Sequence, residues 1–214
     1  IWGSTSLLLN HMYSVHPESK RLLIIHANSL ADSGAYQQAL AILENRDDPG
    51  FYINRLYIYC LRDGRIDDSE LLSVTGVADG KITSHAMTGL IRIANLGLDG
   101  ECEFSCSLYL GLLERAIDAQ IRPSQLEKLH LYRAHYLHRL GGTNAALPAL
   151  ESAFSVREDN PLPLFLATEW LLDDGRVRQA GEVYARAKVA ADASRQDYSG
   201  FTNAIEARLA TAVD

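Results

Sequence analysis

Residues 134–153 read AHYLHRLGGTNAALPALESA, and residues 168–187 read TEWLLDDGRVRQAGEVYARA. Laid on one another, Gly141 falls on Gly175, Ala146 on Ala180, Leu150 on Tyr184 and Ala153 on Ala187. The offset is the same each time, 175 − 141 = 34 residues. A third copy, ADSGAYQQALAILE at 31–44, keeps a glycine (Gly34), Ala39 five residues on and Leu43 nine residues on. Seven residues before the glycine stand Ala27, Ala134 and Thr168, all small. A weaker copy surrounds Gly64 in LYIYCLRDGRIDDSELL, where Ile66 is apolar but Ser69 stands in the alanine position.

Working outward, apolar residues recur at three- and four-residue intervals in 22–31, 53–61, 86–98, 104–117, 129–140, 145–156, 164–172 and 179–190. That is the period of amphipathic helices. No clear period-two strand is present. The breaks between runs are short and polar: DSG at 32–34, RDDPG at 46–50, RDG at 62–64, GG at 141–142, REDNP at 157–161 and DDG at 173–175. Glycine after a polar helix end is a stop signal, because it tolerates the left-handed backbone. Breaks this short predict antiparallel neighbours.

A helical hairpin of this length, with Gly…Ala…Leu/Tyr…Ala at fixed offsets, resembles the tetratricopeptide repeat (TPR). The resemblance covers 18–73 and 126–192, with 74–125 departing from it as irregular helix pairs. It implies an all-α fold: a TPR-like right-handed α-solenoid of antiparallel helix pairs, forming a single domain over 1–214. Residues 193–214 are the expected capping helix, with Tyr198, Phe201, Ile205 and Leu209 on its apolar side. Dimerisation through this last helix is the other use of such a face.

The opening IWGSTSLLLNHMYSVHPESKRLL places Trp2, Leu8 and His11, then Pro17, Ser19 and Arg21, ahead of the first copy. Residues 1–17 thus resemble the junction at which a polytopic membrane glycosyltransferase of the transmembrane-plus-TPR O-mannosyltransferase kind passes into its soluble tail. The resemblance implies a periplasmic or otherwise extracytoplasmic location, with the catalytic part elsewhere in a longer protein. The absence of an initiator methionine agrees with this expectation. The alternatives are a free cytosolic TPR adaptor or co-chaperone, and a structural oligomerisation spacer.

Composition narrows the partners. The chain of 214 residues carries a net charge of −7, so nucleic acid is not the expected ligand. No apolar run is long enough to span a bilayer. Three cysteines, Cys60, Cys102 and Cys106, allow at most one internal disulfide. They read as small core or surface thiols, with a Cys60 bridge to Cys102 or Cys106 open in an oxidising compartment.

No GxSxG elbow, phosphate loop or HExxH occurs, and no catalytic residue or cofactor is expected. The paired acids of DGRIDDSE and LLDDGR lie at turns, where aspartate caps helices. What the TPR resemblance implies is a concave groove lined by the first helix of each pair. The lining residues would be Arg21, Ile24, Asn28 and Asp32; then Phe51, Asn54, Ile58 and Arg62; then Lys128, Leu131, His135, His138 and Arg139; then Leu162, Phe165, Glu169 and Asp173. Asn28 and Asn54 suit an extended peptide backbone. Lys128, His135, His138 and Arg139 form a basic patch in an acidic chain, suited to a carboxylate on a protein or peptide ligand. The plain alternative is a set of solvated helix faces. His130, His135, His138 and Glu169 do not make a convincing zinc set, and ECEFSC lacks the spacing of a zinc knuckle, so no metal is expected.

Overall fold

The computed structural model describes residues 11, 12, 14–16, 18–77, 82–119 and 122–212. Trp2, Leu8 and Pro17 of the junction reading lie outside the described residues. All regular structure among those described is helical. The chain divides into two compact units, Ile1–Gln120 and Ile121–Asp214.

The first unit contains α1 (Lys20–Asp32), α2 (Tyr36–Leu43), α3 (Pro49–Asp63), α4 (Asp68–Val77), α5 (Ser84–Leu98) and α6 (Cys106–Asp118). Local chemistry sets several ends. Pro49 sits in the first turn of α3, where its missing N–H costs nothing, and the Asp48 carboxylate accepts from Gly50 N at 2.9 Å. Thr83 caps α5 and Ser105 caps α6 through their hydroxyls. Gly64 closes α3 with a left-handed backbone, φ 68°.

Helix α1 packs on α2 and α3, α2 on α3, α3 on α4 and α5, and α4 on α6. Leu23, Ile53, Leu56, Ile58, Leu71, Leu90 and Tyr109 are fully or almost fully buried between them. The Tyr109 hydroxyl donates to the Leu90 carbonyl, so the deepest phenol is satisfied.

The turn at Gly64 departs from the repeat. Helix α2 starts two residues after its glycine (36 − 34 = 2), but α4 starts four after (68 − 64 = 4). The two added residues move the buried position from Ser69, which is exposed, to Leu71. The added stretch pairs with a distant loop: Ile66 N donates to Glu103 O at 2.9 Å, and Glu103 N to Gly64 O at 2.8 Å. Beside this pair, Cys60 and Cys102 form a disulfide. Cys60 and Cys102 are therefore bridged rather than free, and Cys106 is the free thiol. Spacing in sequence did not choose between the partners. The choice comes from the 99–105 loop folding back on the end of α3.

The second unit contains α7 (Pro123–Val156), α8 (Leu162–Asp173), α9 (Val177–Ala193) and α10 (Ser199–Ala212). Helix α7 is broken at Gly142, where φ is 73° and ψ −171°, giving arms 123–141 and 143–156. The break falls one residue later than Gly141, the glycine that aligns with Gly175. Helix α7 packs on α8, α8 on α9, and α10 on both α8 and α9.

Two apolar clusters follow in register. Ala134, Ala146, Ala149, Leu150, Ala167 and Trp170 form one; Leu164, Phe165, Tyr184, Ala187 and Ile205 form the next. The aligned Ala134, Ala146, Ala153, Thr168, Ala180 and Ala187 are buried, as are Ala27 and Ala39 in the first unit. Helix α10 covers the second cluster with Ile205, while Phe201 stacks on Phe165 at 5.6 Å. Polar ties fix it there: the Tyr184 hydroxyl donates to Glu206 at 2.8 Å, Lys188 meets the same carboxylate, and Arg208 pairs with Asp173 at 2.6 Å. No described helix is long and apolar enough to cross a membrane.

Candidate functional site

The first arm of α7 carries Lys128, His135, His138 and Arg139. Steps of seven, three and one residues keep them within about a third of the helix circumference. Lys128 and Arg139 are exposed; His135 and His138 are half-buried. The side chain beneath them is Trp170, from α8. His138 stacks on its indole with ring centroids 4.1 Å apart and planes 7° apart, and His135 meets it edge-on at 5.3 Å. The indole fits because Ala134, Ala146, Ala149 and Ala167 leave room for it.

The electrostatics differ from the sequence expectation. Burial lowers the proton affinity of His135 below the ordinary histidine value, and Arg139 and His138 lower it further. His135 therefore carries less charge near neutral pH than an ordinary histidine would. The lasting cations are Lys128 and Arg139, with Arg139 also near the Tyr136 ring at 6.0 Å. The face is a half-buried aromatic–imidazole platform flanked by two cations. Glu169, adjacent to Trp170 in the chain, is half-buried. Among the described residues, no three histidines, cysteines or carboxylates converge as a metal site would require.

Next to Lys128, Glu127 is buried. Its carboxylate accepts from Arg157 Nη1 at 3.1 Å and from the Asn160 amide. Asn160 Oδ1 in turn accepts from Leu162 N at 3.2 Å and from the Tyr198 hydroxyl at 3.2 Å. This network holds the start of α7 against the start of α8 and so fixes the platform. Neither Glu127 nor Trp170 was singled out from sequence. A glutamate in a helix reads as surface, and Trp170 lies just after the alignable small residue Thr168.

The first-unit candidates are arranged differently. Asn54 is fully buried and Asn28 nearly so. Asn28 Nδ2 donates to Asn54 Oδ1 at 2.8 Å, and Asn54 Nδ2 donates to Gly50 O at 2.6 Å. The two amides thus link α1 to α3 and are not free donors on a groove wall. Asn28 Oδ1 is buried without a hydrogen-bond partner. Gly89 of α5 lies against Asn54; a Cβ there would come 2.9 Å from Ile53 Cγ2.

Ile24, Phe51 and Ile58, expected on the lining, are buried core residues, as is Phe165 in the second unit. Arg21 is exposed near His85, whose proton affinity is lowered first by burial and then by this cation. Asp32 accepts from the Tyr57 hydroxyl at 2.7 Å and pairs with Arg92 at 2.8 Å. Arg62 is bound by Asp63 through two hydrogen bonds. Of the sequence candidates, the structure brings together His135 and His138 on Trp170, and Asn28 with Asn54.

Comparison of the chain with protein-family models, curated proteins and solved structures returns no match.

Proposed function

We propose that the chain is a non-catalytic protein-interaction module that binds a peptide or protein carrying an acidic group. The observation that carries this reading is the platform of His138 and His135 on Trp170, flanked by Lys128 and Arg139. A buried aromatic with cations at its edge is the usual make-up of a recognition hot spot, and a carboxylate is the natural partner of the cations. The platform is held by buried groups, so little ordering accompanies binding.

The scaffold we infer is a TPR-like right-handed solenoid of antiparallel helix pairs, with α10 as its cap. The 34-residue offset, the buried small residues at equivalent positions and the short glycine turns support it. The placement we infer is the extracytoplasmic tail of a membrane-embedded glycosyltransferase, where the module would hold an acceptor protein near the catalytic part. A buried Cys60–Cys102 bridge supports an oxidising compartment.

The test is selection of peptides from a random library on the purified chain, followed by calorimetry. Enriched peptides should carry aspartate or glutamate and lose at least tenfold in affinity on Lys128→Glu with Arg139→Glu. Enrichment without acidic residues, or affinity indifferent to that change, would overturn the reading.

A further inference from the structure

The two histidines of the platform meet the same indole in different ways. His138 lies flat on Trp170, with planes 7° apart and ring centroids 4.1 Å apart, and keeps part of its surface in water. His135 stands at 82° to the indole, 5.3 Å away, and burial works against its charged form. The face of an aromatic ring carries negative charge density, so a cation resting on it is stabilised. An imidazole stacked there has a favourable seat for its protonated form. Trp170 is itself buried among alanines, which keeps that seat fixed.

The charged groups around this pair come from three elements. On its own arm, Arg139 is the next residue and His135 lies one turn back, with Lys128 further toward the start of the helix. Helix α8, which packs on this arm, brings Glu169 beside Trp170 and then Asp173 and Asp174, of which Asp173 is paired with Arg208 at 2.6 Å. The second arm of α7 contributes Glu151, held by both terminal nitrogens of Arg186. A proton on His138 thus turns the pair of cations flanking the platform into a run of three, Lys128, His138 and Arg139, on one face of the arm.

We propose that the platform is gated by pH: uptake of a proton by His138 on the face of Trp170 strengthens capture of an acidic peptide, and loss of that proton releases it. The inference rests on the reading of the platform as an acidic-peptide site and adds its regulation. Histidine is the side chain that ordinarily changes charge between neutral and mildly acidic pH, whereas aspartate stays ionised over that range. The charge that changes is therefore on this chain and not on the ligand. The geometry also divides the labour between the two imidazoles: His138 is the sensor, and His135 stays part of the packing.

The probe is acetylated, amidated hexa-aspartate, with hexa-asparagine as the neutral control, titrated into the whole chain at about pH 5.5 and about pH 7.5. Hexa-aspartate should bind about three- to tenfold more tightly at the lower pH, the effect of one added charge at close range near a protein surface. The asparagine peptide should not respond. His138→Gln should flatten the difference, whereas His135→Gln should leave it, with far-ultraviolet dichroism confirming the fold of each at both pH values. In nuclear magnetic resonance spectra of the free chain, the His138 ring and Trp170 indole signals should titrate together over the pH range in which the affinity changes. Equal affinity at the two pH values, or a pH effect that survives His138→Gln, would overturn the gate and leave the acidic-peptide reading standing. No binding of hexa-aspartate at either pH would remove both.

Discussion

The imidazole of His138 lies flat on the indole of Trp170, 4.1 Å between centroids, and thereby joins the first arm of α7 to α8. Trp170 also fills the space left by four alanines. Trp170→Ala should therefore cost about 3–5 kcal/mol, while His138→Ala, which removes only the stacked pair, should cost about 1 kcal/mol. Urea denaturation measures both. Equal costs for the two would mean that the stack, not the cavity, dominates.

Stability should rise with pH between about 5 and 7. His85, His130 and His135 all hold protons less tightly in the fold than free histidine does, chiefly through burial. Over that window the unfolded chain binds more protons than the native one. The stabilisation is thus present above the ordinary histidine value and is lost as pH falls toward the depressed values. The lowered carboxylates, Asp63, Glu151, Asp197 and Glu206, act below the carboxylate range and do not supply this slope. Urea midpoints measured across the window should climb and then level, and His135→Gln should reduce the climb.

Removal of the bridge with Cys60→Ser and Cys102→Ser should destabilise the first unit by about 4 kcal/mol, the cross-link entropy for a separation of 42 residues. Alkylation of the unreduced, denatured chain should label one cysteine, Cys106, and after reduction all three. Three labels without reduction would contradict the bridge.

Two helical glycines should respond with opposite signs. Gly111 of α6 has open space where a Cβ would stand, so Gly111→Ala should stabilise by about 0.5–1 kcal/mol through helix propensity. Gly89→Ala should destabilise, because its methyl would meet Ile53 and the Asn54 amide that links α1 to α3. Thermal denaturation reads both shifts.

Much of the helical layout was legible because period and punctuation agree. Gly34, Gly64 and Gly175 all take positive φ, and Ala27, Ala134 and Thr168 are buried as the alignment required. The site was less legible, for identifiable reasons. An offset fixed at 34 places the turn at Gly141, but the backbone breaks at Gly142, since either glycine can take the strain. Two extra residues after Gly64 carried burial from Ser69 to Leu71. Asn28 and Asn54 have the composition of peptide-binding amides, yet their amide nitrogens are taken up inside the chain, Asn28 Nδ2 by Asn54 Oδ1 and Asn54 Nδ2 by the Gly50 carbonyl. Trp170 escaped notice because a buried tryptophan reads as core, and its contact with His138 crosses two helices.

The most direct measurement is the resonance of the Trp170 indole N–H during titration with an acidic peptide selected on this chain. The account predicts a saturable shift of that signal and of the backbone amides of 128–139, abolished by Lys128→Glu with Arg139→Glu. A selected peptide that binds tightly yet leaves Trp170 and 128–139 unmoved would contradict it.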